Sequence, residues 1–257
     1  MHPFHRTELI VGRRGFSRLQ KSSVLIVGLG GVGSYAAEAI ARSGVGRIGL
    51  VDFDDVCLTN LNRQLHAFRR TVGLPKSELM EQRVRAINPK AEVQSWYRFF
   101  NHESSAEILE PGWDWVVDCI DNVTAKLHLL ETCANAEIPV VASMGAGSKM
   151  DPTRIRVHPL DKTKIDPLAK VVRKKLRQRG VDITRIQAVW SDEPPVVLDN
   201  DVADAFRCIC PQSDNDVHSC ESRNVIQGTV SFIPSVFGLM AAGAVVNGIV
   251  GRPLGQS

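Results

Sequence analysis

The chain has 257 residues, 44% of them hydrophobic and 23% charged, with a formal net charge of +3. That length suits one sizeable α/β domain or two small ones, and the composition excludes a long disordered tail. A positive charge this small permits an anionic partner without demanding one.

The opening stretch MHPFHRTELIVGRRGF has no continuous apolar core of the secretory kind, so a cytoplasmic setting is expected. The six cysteines then read as reduced thiols rather than disulfides. From Ser23 to Gly28, SVLIVG is a short β-branched run ending in glycine, and the Ala-rich SYAAEAIARSG after it is helical by propensity, closing at Gly44. RIGLVDFDD predicts a second strand, KSELMEQRVRAINP a helix stopped before Pro89, and AEVQSWYRF a third strand. WVVDCID, NVTAKLHLLETCANAE and IPVVASMG continue as strand, helix, strand. Repeated βα units predict a Rossmann-like, mostly parallel sheet with helices on both faces.

After Gly147 the pattern changes. TRIRVHPL resembles an edge strand, DPLAKVVRKKLRQRG an amphipathic helix, and IQAVWSDEPPVV a strand closed by Pro194 and Pro195, together a mixed or antiparallel extension. The polar stretch from Asp199 to Asn224 predicts a long loop or flap. TVSFIPS and the run from Val236 to Val250 return to the core; that run is shorter than a membrane span of about 20 residues and reads as a buried helix. With no internal repeat and no Gly/Ser linker, residues 1–257 are expected to form a single integrated domain.

GLGGVG places Gly28, Gly30, Gly31 and Gly33 after a strand and before a helix, with Asp52 at the end of the following strand. Glycines there let backbone approach a phosphate, and the helix N-terminus directs free N–H groups at the anion. An NAD enzyme needs few cations near its phosphates, since the nicotinamide carries the chemistry. Here Asp54, Asn60, Arg63, Gln64 and Lys76 follow Asp52, the set that binds a triphosphate and neutralises charge during attack at its α-phosphorus. Asp121, at the end of the fourth strand, lies at the same carboxyl edge and suits Mg²⁺. Taken singly, each residue reads equally well as a surface charge or a helix cap, with Asn122 a natural cap and Lys76 open to simple exposure.

Together GLGGVGS, VDFDD, N-x-x-R-Q, VGLPK and DCIDN resemble the ubiquitin-activating-enzyme-like adenylating superfamily over residues 1–150. The resemblance implies that Asp52 holds the ATP ribose, Arg63 and Lys76 the phosphates, Asn60 and Gln64 the rest of the pocket, and Asp121 the Mg²⁺. Arg6, in FHRTELIVG, matches the arginine that reaches into the neighbouring subunit's ATP site, which implies a homodimer. Within the superfamily the chain is most similar to the tRNA threonylcarbamoyladenosine dehydratases, on HRTELIVG, VDFDDVCLTNLNRQLHA, SMGAGSKMDPT, the DPLAKVVRKKLR helix, WSDEPP and FIPSVFGLM. Membership implies that ATP adenylates the threonyl carboxylate of a modified adenosine beside the anticodon, and that ring closure then releases AMP. It divides the chain into an ATP-binding half, 1–150, and a tRNA-facing extension, 151–257. Arg63, Lys76, Arg6 and Asp121 are then the catalytic set.

In the basic helix, Lys170, Arg173, Lys174, Lys175, Arg177 and Arg179 surround a stripe of Leu168, Val172 and Leu176. It reads either as a tRNA-phosphate surface or as a solvated face. Trp96, Trp113 and Trp190 read as core more readily than as base-stacking platforms. Cys208, Cys210, His218 and Cys220 offer three thiols and an imidazole for a tetrahedral zinc, although their spacing departs from paired C-x-x-C. Cys57, Cys119 and Cys133 read as packing residues. Two other functions stay open: activation of a ubiquitin-like sulfur carrier, which would bring in a sulfur-relay partner, and an NAD-binding redox module.

Overall fold

The computed structural model describes residues 2–199, 228–252 and 254. Seven strands form one sheet in the order β3-β2-β1-β4-β5-β7-β6. They are β1 (Ser23–Val27), β2 (Arg47–Asp52), β3 (Glu92–Tyr97), β4 (Trp115–Asp118), β5 (Val140–Ser143), β6 (Ile155–Pro159) and β7 (Gln187–Ser191). Every pairing is parallel except that of β6 with β7. The expected parallel sheet is therefore present, and the extension completes it: β7 pairs with β5 in parallel, and β6 closes the edge in the antiparallel sense.

Seven α-helices among the described residues cover the sheet: α1 (His5–Lys21), α2 (Gly33–Arg42), α3 (Lys76–Ile87), α4 (Ser105–Leu109), α5 (Val123–Asn135), α6 (Pro167–Gln178) and α7 (Phe232–Val250). β1 shows why two layers form. All five of its residues are buried; Val24 and Ile26 point to the side of α2, α3 and α7, while Leu25 and Val27 point to that of α5 and α6. A strand buried on both faces has to be apolar throughout, as SVLIV nearly is.

α7 is long and apolar enough to cross a membrane by length and composition, yet half of its most apolar stretch is buried inside the protein. Its small residues explain the fit. A Cβ on Gly238 would stand 2.2 Å from the Val32 carbonyl, so α7 crosses the start of α2 at backbone contact. The sequence pattern indicated neither α1 nor α4. α1 carries a non-helical Gly12 (φ 74°) and buries only Gly15, Phe16 and Leu19, so its apolar period is broken at the kink. Trp113 and Trp190 are buried, and Trp96 packs against the same core, as packing residues do.

Candidate active site

The strand order reverses between β1 and β4, and the carboxyl ends of these neighbours flank the crevice where open α/β sheets bind ligands. Gly28 leaves β1 with φ +89°, and a Cβ on it would lie 2.7 Å from the Cys119 carbonyl in the turn after β4. A Cβ on Gly33 would overlap the Gly28 carbonyl at 1.8 Å, which presses the first turn of α2 against the strand end. Gly30 differs: the nearest atom to a Cβ there is Gln64 Nε2 at 3.8 Å. Two glycines thus close the turn, and one leaves it open towards Gln64. Gly31 stands between Pro234 of α7 and the Arg63 side chain.

Asp52 ends β2 and is 7% exposed. Its Oδ2 accepts from Leu29 N at 2.5 Å and its Oδ1 from Asp54 N at 2.8 Å, so it ties the glycine turn to the β2 exit. Lys76 opens α3, 4% exposed, and donates to Asp54 Oδ2 at 2.7 Å. Burial works against its charge, but Asp52, Asp54 and then Asp121 outweigh that and hold its pKa above the ordinary lysine value. Asp52 is pushed up by burial and by Asp54, with Lys76 and two backbone donors pulling the other way. Three carboxylates thus act on one ammonium and leave an excess of hard oxygen donors at the strand ends. Lys76 is buried in an ion pair rather than loose on the surface.

Asn60 is buried and accepts from Cys57 N at 3.0 Å, which shapes the loop after β2. Arg63 donates to Thr59 O at 2.8 Å and to Asn62 Oδ1 at 2.9 Å, which aligns its guanidinium beside the turn. Gln64 is buried, and its Oε1 has no partner among the described residues. An acceptor in that position is costly unless something donates to it. Asn122 caps α5 by accepting from Ala125 N, and Asp121 just before it is exposed, in the turn after β4 rather than at the strand's end, because β4 stops at Asp118. The residues present fit a nucleotide with Mg²⁺: an open glycine, an orphaned acceptor beside it, and carboxylates of the kind Mg²⁺ prefers.

Other expected residues lie elsewhere. Arg6 is exposed in the first turn of α1. On α6, Lys170, Lys174, Lys175 and Arg177 are exposed and take part in no ion pair among the described residues. Arg173 instead bonds the Thr163 carbonyl and hydroxyl, and Arg179 pairs with Glu131 at 2.6 Å. Cys208, Cys210, His218 and Cys220 lie outside the described residues. Of the other cysteines, Cys133 is buried and Cys57 and Cys119 are partly so, with desolvation raising the pKa of the Cys119 thiol above its ordinary value.

His2, His5 and Glu8 bring three ligand atoms within 4.8 Å of one another. Phe4 N donates to His2 Nδ1, however, so the neutral ring carries its proton on Nε2, aimed at Glu8, and has no lone pair there for a cation.

Two buried groups carry no local signal in the amino-acid pattern. His66 is 3% exposed, neither ring nitrogen has a partner among the described residues, and burial together with Lys76 and Arg83 lowers its pKa to about 3. Lys126 and Asp118 form an ion pair sealed from solvent at 2.6 Å.

Sheet order, glycine turn and acid–lysine cluster define a nucleotide-binding α/β protein. The chain belongs to the ThiF family, whose profile matches residues 5–257. It is 44% identical over 246 residues to a tRNA threonylcarbamoyladenosine dehydratase of Bacillus subtilis (strain 168), covering 96% of this chain and 94% of that one. It also resembles the crystal structure of the E. coli tRNA N6-threonylcarbamoyladenosine dehydratase TcdA in complex with ATP, with a TM-score of 0.82, 32% identity, and 99% and 96% of the two chains covered. Similarity to the adenylyltransferase and sulfurtransferase MOCS3 of Anopheles gambiae, 39% identical, spans 51% of this chain and 30% of that protein.

Proposed function

We propose that the protein is an ATP-dependent tRNA threonylcarbamoyladenosine dehydratase. The carrying observation is similarity along both full lengths to a dehydratase, joined to a site at the sheet's switch point that pairs carboxylates with a buried lysine. The match to the adenylyltransferase and sulfurtransferase MOCS3 favours that alternative less, since it covers 51% of this chain and 30% of that protein.

In this reading the ribose hydroxyls meet Asp52, and the triphosphate lies over Gly30 and the start of α2, where N–H groups and the helix dipole face it. Gln64 Nε2, the atom nearest Gly30, donates to a phosphate oxygen there. Arg63 and Lys76 bring positive charge to the α-phosphorus as the threonyl carboxylate attacks it and pyrophosphate departs. Binding the nucleotide draws Lys76 from Asp54 towards phosphate, and Asp54 with Asp121 is left to hold Mg²⁺. When bound, that ion neutralises charge on the leaving pyrophosphate.

The acyl-adenylate carries its former carboxylate oxygen as the bridge to phosphorus. An internal nucleophile of the same nucleoside attacks the carbonyl, the bridging bond breaks, and AMP leaves with that oxygen. Ring closure is intramolecular, so its effective concentration is high and no enzymic nucleophile is needed. Burial of Cys119 and Cys133 agrees with that economy.

The protein acts as a homodimer in the cytoplasm, with Arg6 extending from the exposed start of α1 to a partner's triphosphate. The basic face of α6 receives the tRNA backbone through Lys170, Lys174, Lys175 and Arg177, while Arg173 braces the helix against Thr163. Residues 1–150 serve the nucleotide and 151–257 the tRNA.

Pyrophosphate release measured with purified protein, ATP and Mg²⁺ tests the assignment. It should require tRNA bearing threonylcarbamoyladenosine and stay at background with unmodified tRNA or with a ubiquitin-like sulfur carrier. Release driven by the carrier protein would assign the chain to the other branch of the superfamily.

A further inference from the structure

Lys126 is the largest completely buried side chain among the described residues, and the chemistry above does not use it. It lies in the first turn of α5, where Nζ donates to Asp118 Oδ2 at 2.6 Å and to the Ser143 carbonyl at 3.0 Å. Asp118 is the last residue of β4; neither side chain of the pair has any exposure. The other carboxylate oxygen, Oδ1, accepts from Ile120 N at 3.0 Å.

Removing two charges from water offsets most of their attraction, and an apolar pair of similar volume often stabilises a fold as well. Stability alone is therefore a weak reason for this pair. Its position is more telling. The turn Cys119 to Asn122 leaves β4 and enters α5, and the ion pair joins its two ends across the inside. Cys119 N donates to Val27 O at 2.8 Å, and the Cys119 carbonyl abuts Gly28, so the same turn is seated on the glycine turn. Through the Ser143 carbonyl, Lys126 also fixes the exit of β5 beside it. Asp121 rides on this turn, with Asn122 capping the helix behind it. Its carboxylate lies near enough to Lys76 to raise the lysine's pKa.

We propose that Asp118 and Lys126 are positioning residues: their buried pair fixes the β4–α5 turn so that Asp121 faces the glycine turn at the separation a divalent cation on a triphosphate requires. This rests on the reading of Asp121 as the cation's carboxylate.

The test compares the wild type, Asp121→Ala and the double variant Asp118→Leu/Lys126→Met, which removes both charges and keeps an apolar interior. Melting temperature reports folding. Affinity for a non-hydrolysable ATP analogue is measured by calorimetry with and without Mn²⁺, so no turnover enters the readout. The expected result is a folded double variant whose metal-free affinity stays within about threefold of wild type, while the gain conferred by Mn²⁺ shrinks about tenfold, the scale of outer-sphere support of a metal ligand.

A folded double variant with the wild-type Mn²⁺ gain, beside an Asp121→Ala protein that has lost it, overturns the positioning role. Asp121→Ala with the wild-type gain overturns the assignment of Asp121 instead. If the double variant does not fold, Asp118→Asn/Lys126→Gln keeps hydrogen-bonding groups without charge and is read by the same ratio.

Discussion

Gly30 and Gly33 stand three positions apart in one turn, and a methyl group added at each should have opposite consequences. At Gly33 it meets the Gly28 carbonyl at 1.8 Å, so backbone has to move. Overpacking of that kind costs about 1–3 kcal/mol, and Gly33→Ala should lower the melting temperature by roughly 5 °C or more. At Gly30 it meets only the end of Gln64, so Gly30→Ala should melt like the wild type and yet bind ATP about tenfold more weakly, because the methyl stands where a phosphate comes close. Differential scanning fluorimetry and calorimetry separate the two effects.

His66 makes a second prediction at this scale. Its folded pKa of about 3 lies below that of an exposed histidine, so the unfolded chain binds the proton first as pH falls. The resulting stability is fully present above the unfolded value near 6.5 and is lost progressively as pH drops towards 3. Between pH 7 and 5 this amounts to roughly 2 kcal/mol from one histidine. Urea unfolding should show wild type losing about that much more than His66→Phe; parallel losses would mean that the ring is not buried neutral. Asp52, Asp54, Gln64 and Lys76 were legible because their spacing follows a strand and a glycine turn. His66 and Lys126 were not, because burial of an ordinary polar residue is decided by elements far away in the chain, and no local pattern records it.

Among the elements, α6 was the most legible. Val172 and Leu176 are buried and Leu168 packs beside them, as the spacing required, and Asp166 caps the first turn by accepting from Ala169 N. The pattern did not show how the cations divide. Arg173 and Arg179 are held within the chain, whereas Lys170, Lys174 and Arg177 follow one another at helical spacing on an exposed face. Replacing those three with alanine should weaken tRNA binding and reduce the slope of log affinity against log salt by about 0.7–0.9 per lost phosphate contact, without altering ATP affinity. An unchanged slope in filter-binding titrations would make α6 a solvated face. α1 escaped notice because Gly12 breaks its period, and α7 could be placed but not oriented, since a helix apolar nearly all round gives no preferred face.

For the whole molecule, the βα alternation made the parallel sheet legible, while the joining of the extension to it depended on a pairing between residues distant in sequence, β5 with β7. That pairing places the extension in the same sheet as the nucleotide turn. The Lys126 bond to the end of β5 ties the two more closely. The central claim is that the threonyl carboxylate is adenylated and that AMP then leaves during ring closure, carrying away one of that carboxylate's oxygens. The most direct test uses tRNA whose threonyl carboxylate carries heavy oxygen, incubated with the protein, ATP and Mg²⁺, followed by mass spectrometry of nucleosides and AMP. The account predicts a modified nucleoside lighter by one water and AMP carrying one heavy oxygen per turnover. Unlabelled AMP, or a nucleoside that keeps both heavy oxygens, would contradict it.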